Sequence, residues 1–129
     1  MKEELYREAL LEIFKNPPNK GEIHNPDLQA RLVNPLCGDE IRLQLQLAEN
    51  KKQKAENKII KKAVFSGNGC AISQASASIL ASYIEGKSIK KVKKLDSSKV
   101  LKLVGIFPSP ARLKCVLLSL EVLKLALKT

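Results

Sequence analysis

The sequence has few aromatic residues and lacks any apolar run near the ~18 residues that a membrane span requires. Aromatic residues make up 4% of the chain, and none lies among the lysines of residues 87–102. Proteins that bind single-stranded nucleic acids combine a basic groove with aromatic side chains on which bases stack. A nucleic-acid partner is therefore disfavoured, and no membrane partner is expected.

The N-terminus lacks the apolar block and the cleavage site of a signal peptide. Its first residues, MKEELYREALLEIF, instead have the spacing of an amphipathic helix with acids in its first turn. We therefore expect a cytoplasmic protein. A chain of 129 residues can build one domain with a substantial core but not two, so we expect a single domain over residues 1–129.

Cysteine is also scarce, and the three cysteines cannot all pair within one chain. In a reducing compartment such thiols are more often metal-binding or catalytic than bridged. No C-x-x-C motif occurs, and the C-x-D of NPLCGDE (residues 34–40) is not a zinc-finger spacing. Spacing alone therefore leaves two interpretations open, a metal or sulfur site and inert, half-buried thiols.

Lysine, by contrast, is abundant and gives a formal net charge of +10. The lysines concentrate in two segments, residues 51–62 and 87–102. Such clusters can bind nucleic acid or an acidic protein, or they can form a solvated face. The solvated face is the simpler interpretation.

Alternating apolar residues predict a small antiparallel sheet. In IRLQLQL (residues 41–47) isoleucine and leucine alternate with polar residues, which indicates a half-buried strand. The polar stretch that follows predicts a hairpin loop, and residues 58–67 predict the returning strand. Residues 22–38 show no clear period and are expected to form an ordered loop.

Helical spacing is predicted over residues 3–14, 71–85, 88–95, 97–104 and 110–128. Asp96 and Ser109 are predicted N-caps, with Pro110 in the first turn of the last helix. The order of elements argues for an α+β fold, a small antiparallel sheet of about three strands with helices packed on one face.

Each cysteine lies beside a chain-breaking residue or near a helix start. Cys37 is in a Pro/Gly turn before the first strand, Cys70 follows GNG at the start of a helix, and Cys115 lies in the second turn of the last helix. Positive partial charge at a helix N-terminus favours the thiolate, which is the form that binds metal and attacks sulfur. With an oxygen from Asp39, the three thiolates can coordinate zinc, and thiolates also suit iron–sulfur clusters.

Four stretches together resemble the iron–sulfur cluster assembly family of the IscU, SufU and NifU N-terminal type. These stretches are LYREALLEIFKNPPNKG, NPLCGDEIRLQL, FSGNGCAISQASASIL and FPSPARLKCVLLSLEVL. The resemblance covers nearly the whole chain and implies an IscU-like fold. It also implies that Cys37, Asp39, Cys70 and Cys115 converge on one metal or cluster site.

The third cysteine motif, ARLKC, is similar to the SufU pattern, because Lys114 stands where IscU-type members usually have histidine. This resemblance implies bound zinc and a cysteine desulfurase of the SufS or IscS type as the sulfur donor. It makes Cys37 the acceptor of persulfide sulfur and places Arg112 near the site, where a cation would stabilise thiolates or a persulfide. The 45-residue interval between Cys70 and Cys115 is closer to that of IscU.

Two functions stay open within the family. One is a zinc-bound sulfur acceptor, which would act as a sulfurtransferase. The other is a non-enzymatic scaffold that assembles a [2Fe–2S] cluster from iron on the same ligands and transfers it to apo iron–sulfur proteins or other assembly factors. Outside the family, the rival interpretations are a basic RNA-binding module and a zinc-stabilised structural domain.

Overall fold

The computed structural model describes residues 8, 11–35, 38–49, 54–105 and 110–128. Residues 11–15 are helical, and the elements that follow are β1 (Leu28–Asn34), β2 (Asp39–Leu47), a 3₁₀ turn (Ala55–Asn57), β3 (Ile60–Ser66), α1 (Ala71–Ile84), α2 (Ile89–Val92), α3 (Ser97–Val104) and α4 (Pro110–Lys128). The predicted α+β class is confirmed. Much of the helix predicted over residues 3–14, and the predicted N-cap Ser109, lie outside the described residues.

The sheet has three strands in the order β1-β2-β3, and both pairs are antiparallel. On central strand β2 the alternating residues Ile41, Leu43 and Leu45 are at most 3% exposed, as the alternation predicted. Gln44 is also buried, although it belongs to the polar set. Its Oε1 accepts a hydrogen bond from the backbone N–H of Ile23 at 2.9 Å, which offsets the loss of water around the amide.

The expected loop over residues 22–38 was wrong, because this segment contains β1. β1 is an edge strand on which partly buried Leu28, Ala30 and Leu32 alternate with exposed residues. The alternation is weak in the sequence because Ala30 is small and Val33, although β-branched and apolar, is 46% exposed. An edge strand hydrogen-bonds on one side only and therefore needs less apolar content than a central strand.

Helices α1 and α4 pack against the sheet and against each other, with α1 on β3 and β2 and α4 on β1 and β2. This arrangement buries the apolar face of β2, as expected of helices on one side of a small sheet. On α4, Val116, Leu120 and Leu123 are buried at helical spacing, and Leu118 and Val122 are buried as well. The helix is thus enclosed over more of its circumference than one stripe. No helix in the described part of the chain has both the length and the apolar composition for a membrane span.

The short helices begin where capping side chains allow them to. Asp96 is the N-cap of α3, as predicted, and its Oδ1 accepts the backbone N–H of Lys99 at 2.9 Å. Ser88 is the N-cap of α2, and its Oγ accepts the backbone N–H of Lys91. Beyond the end of α1, Gly86 has φ +84° and donates its N–H to the Ile60 carbonyl at 2.8 Å. The chain therefore returns to the start of β3 before α2 begins.

Candidate metal centre

The turn between β1 and β2 sets the position of Asp39. The backbone N–H of Gly38 donates to the Asn34 carbonyl at 2.7 Å, and Gly38 adopts φ +75°, a conformation that favours glycine. Asp39 is therefore the first residue of β2, and it is only 3% exposed. Cys37, the predicted sulfur acceptor, lies outside the described residues.

Cys70 is the N-cap residue of α1, and it lies directly against Asp39. The backbone N–H of Cys70 donates to Asp39 Oδ1 at 3.1 Å, and Cys70 Sγ lies 3.5 Å from Asp39 Oδ2. One carboxylate therefore accepts an N–H at a helix start and contacts a thiol.

The segment Gly67–Asn68–Gly69 holds this helix start against the beginning of β2. The Glu40 N–H donates to the Asn68 carbonyl at 2.7 Å. Gly67 has φ +126°, and a Cβ there would lie 2.1 Å from the Glu40 carbonyl oxygen. A Cβ on Gly69 would lie 2.5 Å from Ser73 Oγ and 3.1 Å from Asp39 Cγ. Both glycines thus permit close approaches that a side chain would prevent.

Cys115 reaches the same place from α4, and it is 7% exposed. One Sγ each from Cys70 and Cys115 and one carboxylate oxygen of Asp39 all lie within 4.8 Å of one another. A tetrahedral zinc ion with bonds of about 2.3 Å separates its ligand atoms by about 3.7 Å. Small side-chain movements would therefore fit the three atoms to such an ion, and their sulfur and oxygen chemistry suits zinc.

Of the four predicted ligands, the described structure thus brings three together, from the start of β2, the start of α1 and the second turn of α4. Arg112 belongs to α4, one turn before Cys115, but its side chain is outside the described part of the chain. Lys114 and His24 are exposed, and neither belongs to the three-residue group.

Sequence reasoning missed Ser73. This side chain is 1% exposed, its hydroxyl donates to the Cys70 carbonyl at 3.1 Å, and its Oγ lies 3.7 Å from Cys70 Sγ. Ser73 is three positions after the N-cap residue Cys70, and serine at such a spacing can hydrogen-bond to the neighbouring backbone. That spacing was the available signal.

An exposed ion pair joins β1 and β2 beside the site. Arg31 Nε donates to Glu40 Oε1, the residue after Asp39. The hydrogen bond and charge of Arg31 lower the pKa of Glu40 from its ordinary value. Glu40 therefore stays ionised next to the cluster without belonging to it.

Comparison with known proteins agrees with this arrangement. Residues 5–129 match the model of the NifU-like N-terminal domain. The chain is 34% identical to the zinc-dependent sulfurtransferase SufU of Bacillus subtilis, over 93% of this chain and 87% of that protein. It is 33% identical to the iron–sulfur cluster assembly scaffold protein IscU of Thermotoga maritima, over 96% and 93%.

Solved structures agree as well. A crystal structure of a hypothetical protein matches 98% of both chains at 29% identity and a TM-score of 0.75. A candidate iron–sulfur cluster assembly scaffold protein for the SUF system of Fervidobacterium islandicum matches with a TM-score of 0.71 at 26% identity, over 93% of this chain and 94% of that one. The chain belongs to the family of NifU-like N-terminal domains.

Proposed function

We propose that this protein serves iron–sulfur cluster assembly as a zinc-bound sulfur acceptor. In this proposal Cys37, Asp39, Cys70 and Cys115 hold the metal, and Cys37 receives persulfide sulfur from a cysteine desulfurase. The observation that carries the proposal is the group of Asp39, Cys70 and Cys115, whose ligand atoms lie within 4.8 Å of one another. The similarity to a zinc-dependent sulfurtransferase supports the choice of metal.

The three described donors match what zinc requires. Two thiolate sulfurs and a carboxylate oxygen are ordinary zinc ligands, and a fourth donor completes the tetrahedron. Cys37 is two residues before Asp39 in the sequence and is the remaining cysteine. Bound zinc would keep the thiols ionised and limit their oxidation. The cysteine and aspartate side chains would also position the reactive sulfur, because they come from three separate elements and would be held together at the metal.

Sulfur transfer needs no outside oxidant or reductant. The Cys37 thiolate attacks the outer sulfur of the desulfurase persulfide and forms a new S–S bond. The old S–S bond breaks, and the desulfurase cysteine leaves as a thiolate. A cation at Arg112, one helical turn before Cys115, would stabilise the persulfide anion on Cys37. Arg112 is therefore proposed as an assisting residue.

A scaffold is the alternative within the family. The same three sulfurs and one oxygen are a ligand set for a [2Fe–2S] cluster built from iron, which would then pass to apo iron–sulfur proteins. The similarity to the IscU of Thermotoga maritima supports this alternative as strongly as the other relative supports zinc. A cysteine desulfurase is the proposed sulfur donor in both cases. The single domain and the cytoplasmic location expected from the sequence remain predictions.

The first experiment identifies the cysteine that accepts persulfide sulfur. The purified protein is incubated with a cysteine desulfurase and cysteine, and persulfides are located by mass spectrometry of peptides. The Cys37→Ser, Cys70→Ser and Cys115→Ser variants are compared, with Ser82→Ala on the exposed side of α1 as a matched control. We expect persulfide at Cys37 in the control and none in Cys37→Ser. An equal yield of persulfide in Cys37→Ser would refute the assigned acceptor.

The second experiment separates the acceptor from the scaffold. Metal content is measured in freshly purified protein, and the protein is then supplied with iron, desulfurase and cysteine under anaerobic conditions. Tightly held zinc, stimulation of the desulfurase and no visible absorption support the acceptor. A visible-absorbing cluster that passes intact to an apo-ferredoxin supports the scaffold and contradicts the acceptor.

A further inference from the structure

The excess positive charge of the chain is concentrated in one part of it. Residues 54–102 contain eleven lysines and three acids, so they carry a net of eight of the ten excess positive charges. The charge has no part in the proposed metal site. A concentration of this kind produces a long-range field that attracts acidic partners.

The fold merges the two lysine segments of the sequence into one surface. An antiparallel bridge joins Ile59 to Ser88, and the Ile89 N–H donates to the Lys58 carbonyl at 3.0 Å. α2 therefore packs beside the 3₁₀ turn that precedes β3. We call this surface the basic end, and its lysines are Lys54, Lys58, Lys87, Lys90, Lys91, Lys93 and Lys94.

Of the three acids in residues 54–102, Glu56 is exposed in the 3₁₀ turn of the basic end, and the other two hydrogen-bond to the backbone. Asp96 Oδ1 accepts the backbone N–H of Lys99, and Glu85 Oε2 accepts the backbone N–H of Ala63 at 3.1 Å. Within the described ranges, none of the basic-end lysines forms an ion pair with an acid, whereas Arg31 and Glu40 on the sheet do. Glu56 offsets one of these charges and Lys87 Nζ donates to the Tyr83 carbonyl, so a net positive charge remains on this surface for an external partner.

An apolar groove adjoins the basic end. It has a volume of about 420 Å³ and runs between the second half of α1, α3 and the residues before β1. Its apolar side chains are Ile13, Pro18, Ile79, Tyr83 and Leu103. A groove of this volume and composition suits the apolar face of a helix.

The polar atoms in the groove are satisfied within the protein. The Ser78 hydroxyl donates to the Pro18 carbonyl at 2.6 Å, and the Ser82 hydroxyl donates to Asn19 Oδ1 at 2.8 Å. A ligand therefore gains from apolar contact in the groove, since the serines already have their hydrogen bonds. The charged groups that a ligand can contact lie instead at the edge of the groove.

Tyr83 connects the groove to the charge. Its ring lines the groove, with Lys87 Nζ 3.8 Å and Lys99 Nζ 5.6 Å from the ring centroid. The apolar floor thus has two ammonium groups at its edge. A carboxylate on a bound segment would meet these groups while its apolar side chains occupy the groove.

We propose that the groove and the basic end together dock an acidic segment of a partner protein, one with apolar residues on one face. The apolar floor favours a protein over RNA, because bases need stacking platforms and Tyr83 is the one aromatic among the described residues that line the groove. The groove residues of α1 lie 8 to 13 positions after Cys70, about 12–20 Å along the helix axis. The partner can therefore stay bound while the thiols react, and the proposal does not depend on the sulfur-transfer function.

The test uses a synthetic probe and the full-length protein. The probe is a fluorescent 16-residue peptide with leucines at helical i, i+3, i+4 spacing and glutamates elsewhere. A scrambled peptide of equal composition removes the apolar face, and a peptide with lysine in place of glutamate reverses the charge. We expect saturable binding of the probe that weakens at least tenfold between 50 and 500 mM NaCl, and at least tenfold weaker binding of both control peptides.

Variants then locate the site. Lys87→Gln/Lys99→Gln is expected to weaken binding about tenfold, and Leu103→Ser by a similar factor. Arg31→Gln/Arg42→Gln removes the same charge from the sheet and should leave binding unchanged. Because Leu103→Ser removes a half-buried side chain, the circular dichroism and thermal midpoint of this variant are recorded. If it unfolds, the effect of the Lys87→Gln/Lys99→Gln variant alone tests the location of the binding site.

Three results would overturn the proposal. One is equal binding of the probe and the scrambled peptide, since the groove would then contribute nothing. Another is an equal effect of the arginine and lysine variants. The third is tighter binding of single-stranded RNA or of vesicles containing phosphatidylserine than of the probe, which would assign the surface to another class of partner.

Discussion

Cys70 and Asp39 are joined twice, although they are 31 positions apart in the sequence. The Cys70 N–H donates to Asp39 Oδ1 at 3.1 Å, and Cys70 Sγ lies 3.5 Å from Asp39 Oδ2. The same carboxylate thus ties the start of α1 to the start of β2 and contributes an oxygen to the candidate metal group. Substitutions at Asp39 can separate these two roles.

Replacing Asp39 by alanine should impair both roles, and replacing it by asparagine should impair only metal binding. Alanine removes the acceptor for the Cys70 N–H, so we expect the metal-free protein to lose about 1–2 kcal/mol of unfolding free energy. Asparagine keeps an acceptor oxygen but lacks the negative charge. We expect both variants to bind zinc about 10- to 100-fold more weakly. Urea denaturation with chelator and zinc competition with a chromophoric chelator measure the two effects.

A result in which asparagine binds zinc as tightly as aspartate would remove Asp39 from the ligand set. A result in which alanine leaves the metal-free protein unchanged in stability would show that the hydrogen bond to Cys70 contributes nothing. The Lys124→Ala variant is a suitable control, because Lys124 is exposed on α4.

Leu123 and Leu125 offer a matched pair on α4. Leu123 is fully buried among the sheet and the helices, whereas Leu125 is 39% exposed. Leu123→Ala should therefore lower the unfolding free energy by about 2–5 kcal/mol, because it leaves a cavity in the core. Leu125→Ala should lower it by less than about 1 kcal/mol. Equal losses in urea denaturation would contradict the orientation of α4 described above.

The Arg31–Glu40 ion pair predicts a specific pH dependence. Because Arg31 lowers the pKa of Glu40 in the folded state, the pair stabilises the protein above the unfolded pKa of Glu40. This contribution is lost as the pH falls through the lower, folded pKa. The effect is small because both side chains face solvent. NMR titration of the Glu40 carboxyl should show the pKa rising towards its ordinary value in Arg31→Gln, and also in 1 M NaCl. An unchanged pKa in Arg31→Gln would contradict the pairing.

The sequence alone predicted the elements with the strongest patterns and missed the weakest. β2 and α4 were predictable because each has a buried face of large apolar side chains. β1 was missed because an edge strand with Ala30 inward and Val33 outward has little contrast between its faces. The groove at Tyr83 was unpredictable because residues before β1 meet α1 and α3 there, and no local pattern encodes contacts between distant segments.

The candidate site was predictable from motifs, but its supporting contacts were not. The helix-start position of Cys70 follows from the glycines before it, and Asp39 was a candidate oxygen ligand from its place two residues after Cys37. The resemblance to a known family implied that these residues converge. Ser73 was missed because its part depends on burial and on a contact with Cys70 that only the fold creates. Nor did the lysine positions reveal that two separate clusters would meet across the bridge between Ile59 and Ser88.

Gly69 gives the sharpest test of the packing around the metal group. A Cβ at this position would lie 2.5 Å from Ser73 Oγ and 3.1 Å from the Asp39 carboxyl. Gly69→Ala should therefore displace both side chains, lower the unfolding free energy by about 1–3 kcal/mol and weaken zinc binding. Gly86→Ala is the control, because Gly86 has φ +84° with no atom within 4 Å of an added Cβ. Its strain of about 1–2 kcal/mol should reduce stability alone, since Gly86 lies beyond the far end of α1 from Cys70. Thermal unfolding and zinc competition on both variants make the comparison. If both variants lose stability and both retain full zinc affinity, then the contact of Gly69 with Asp39 has no part in positioning the ligands.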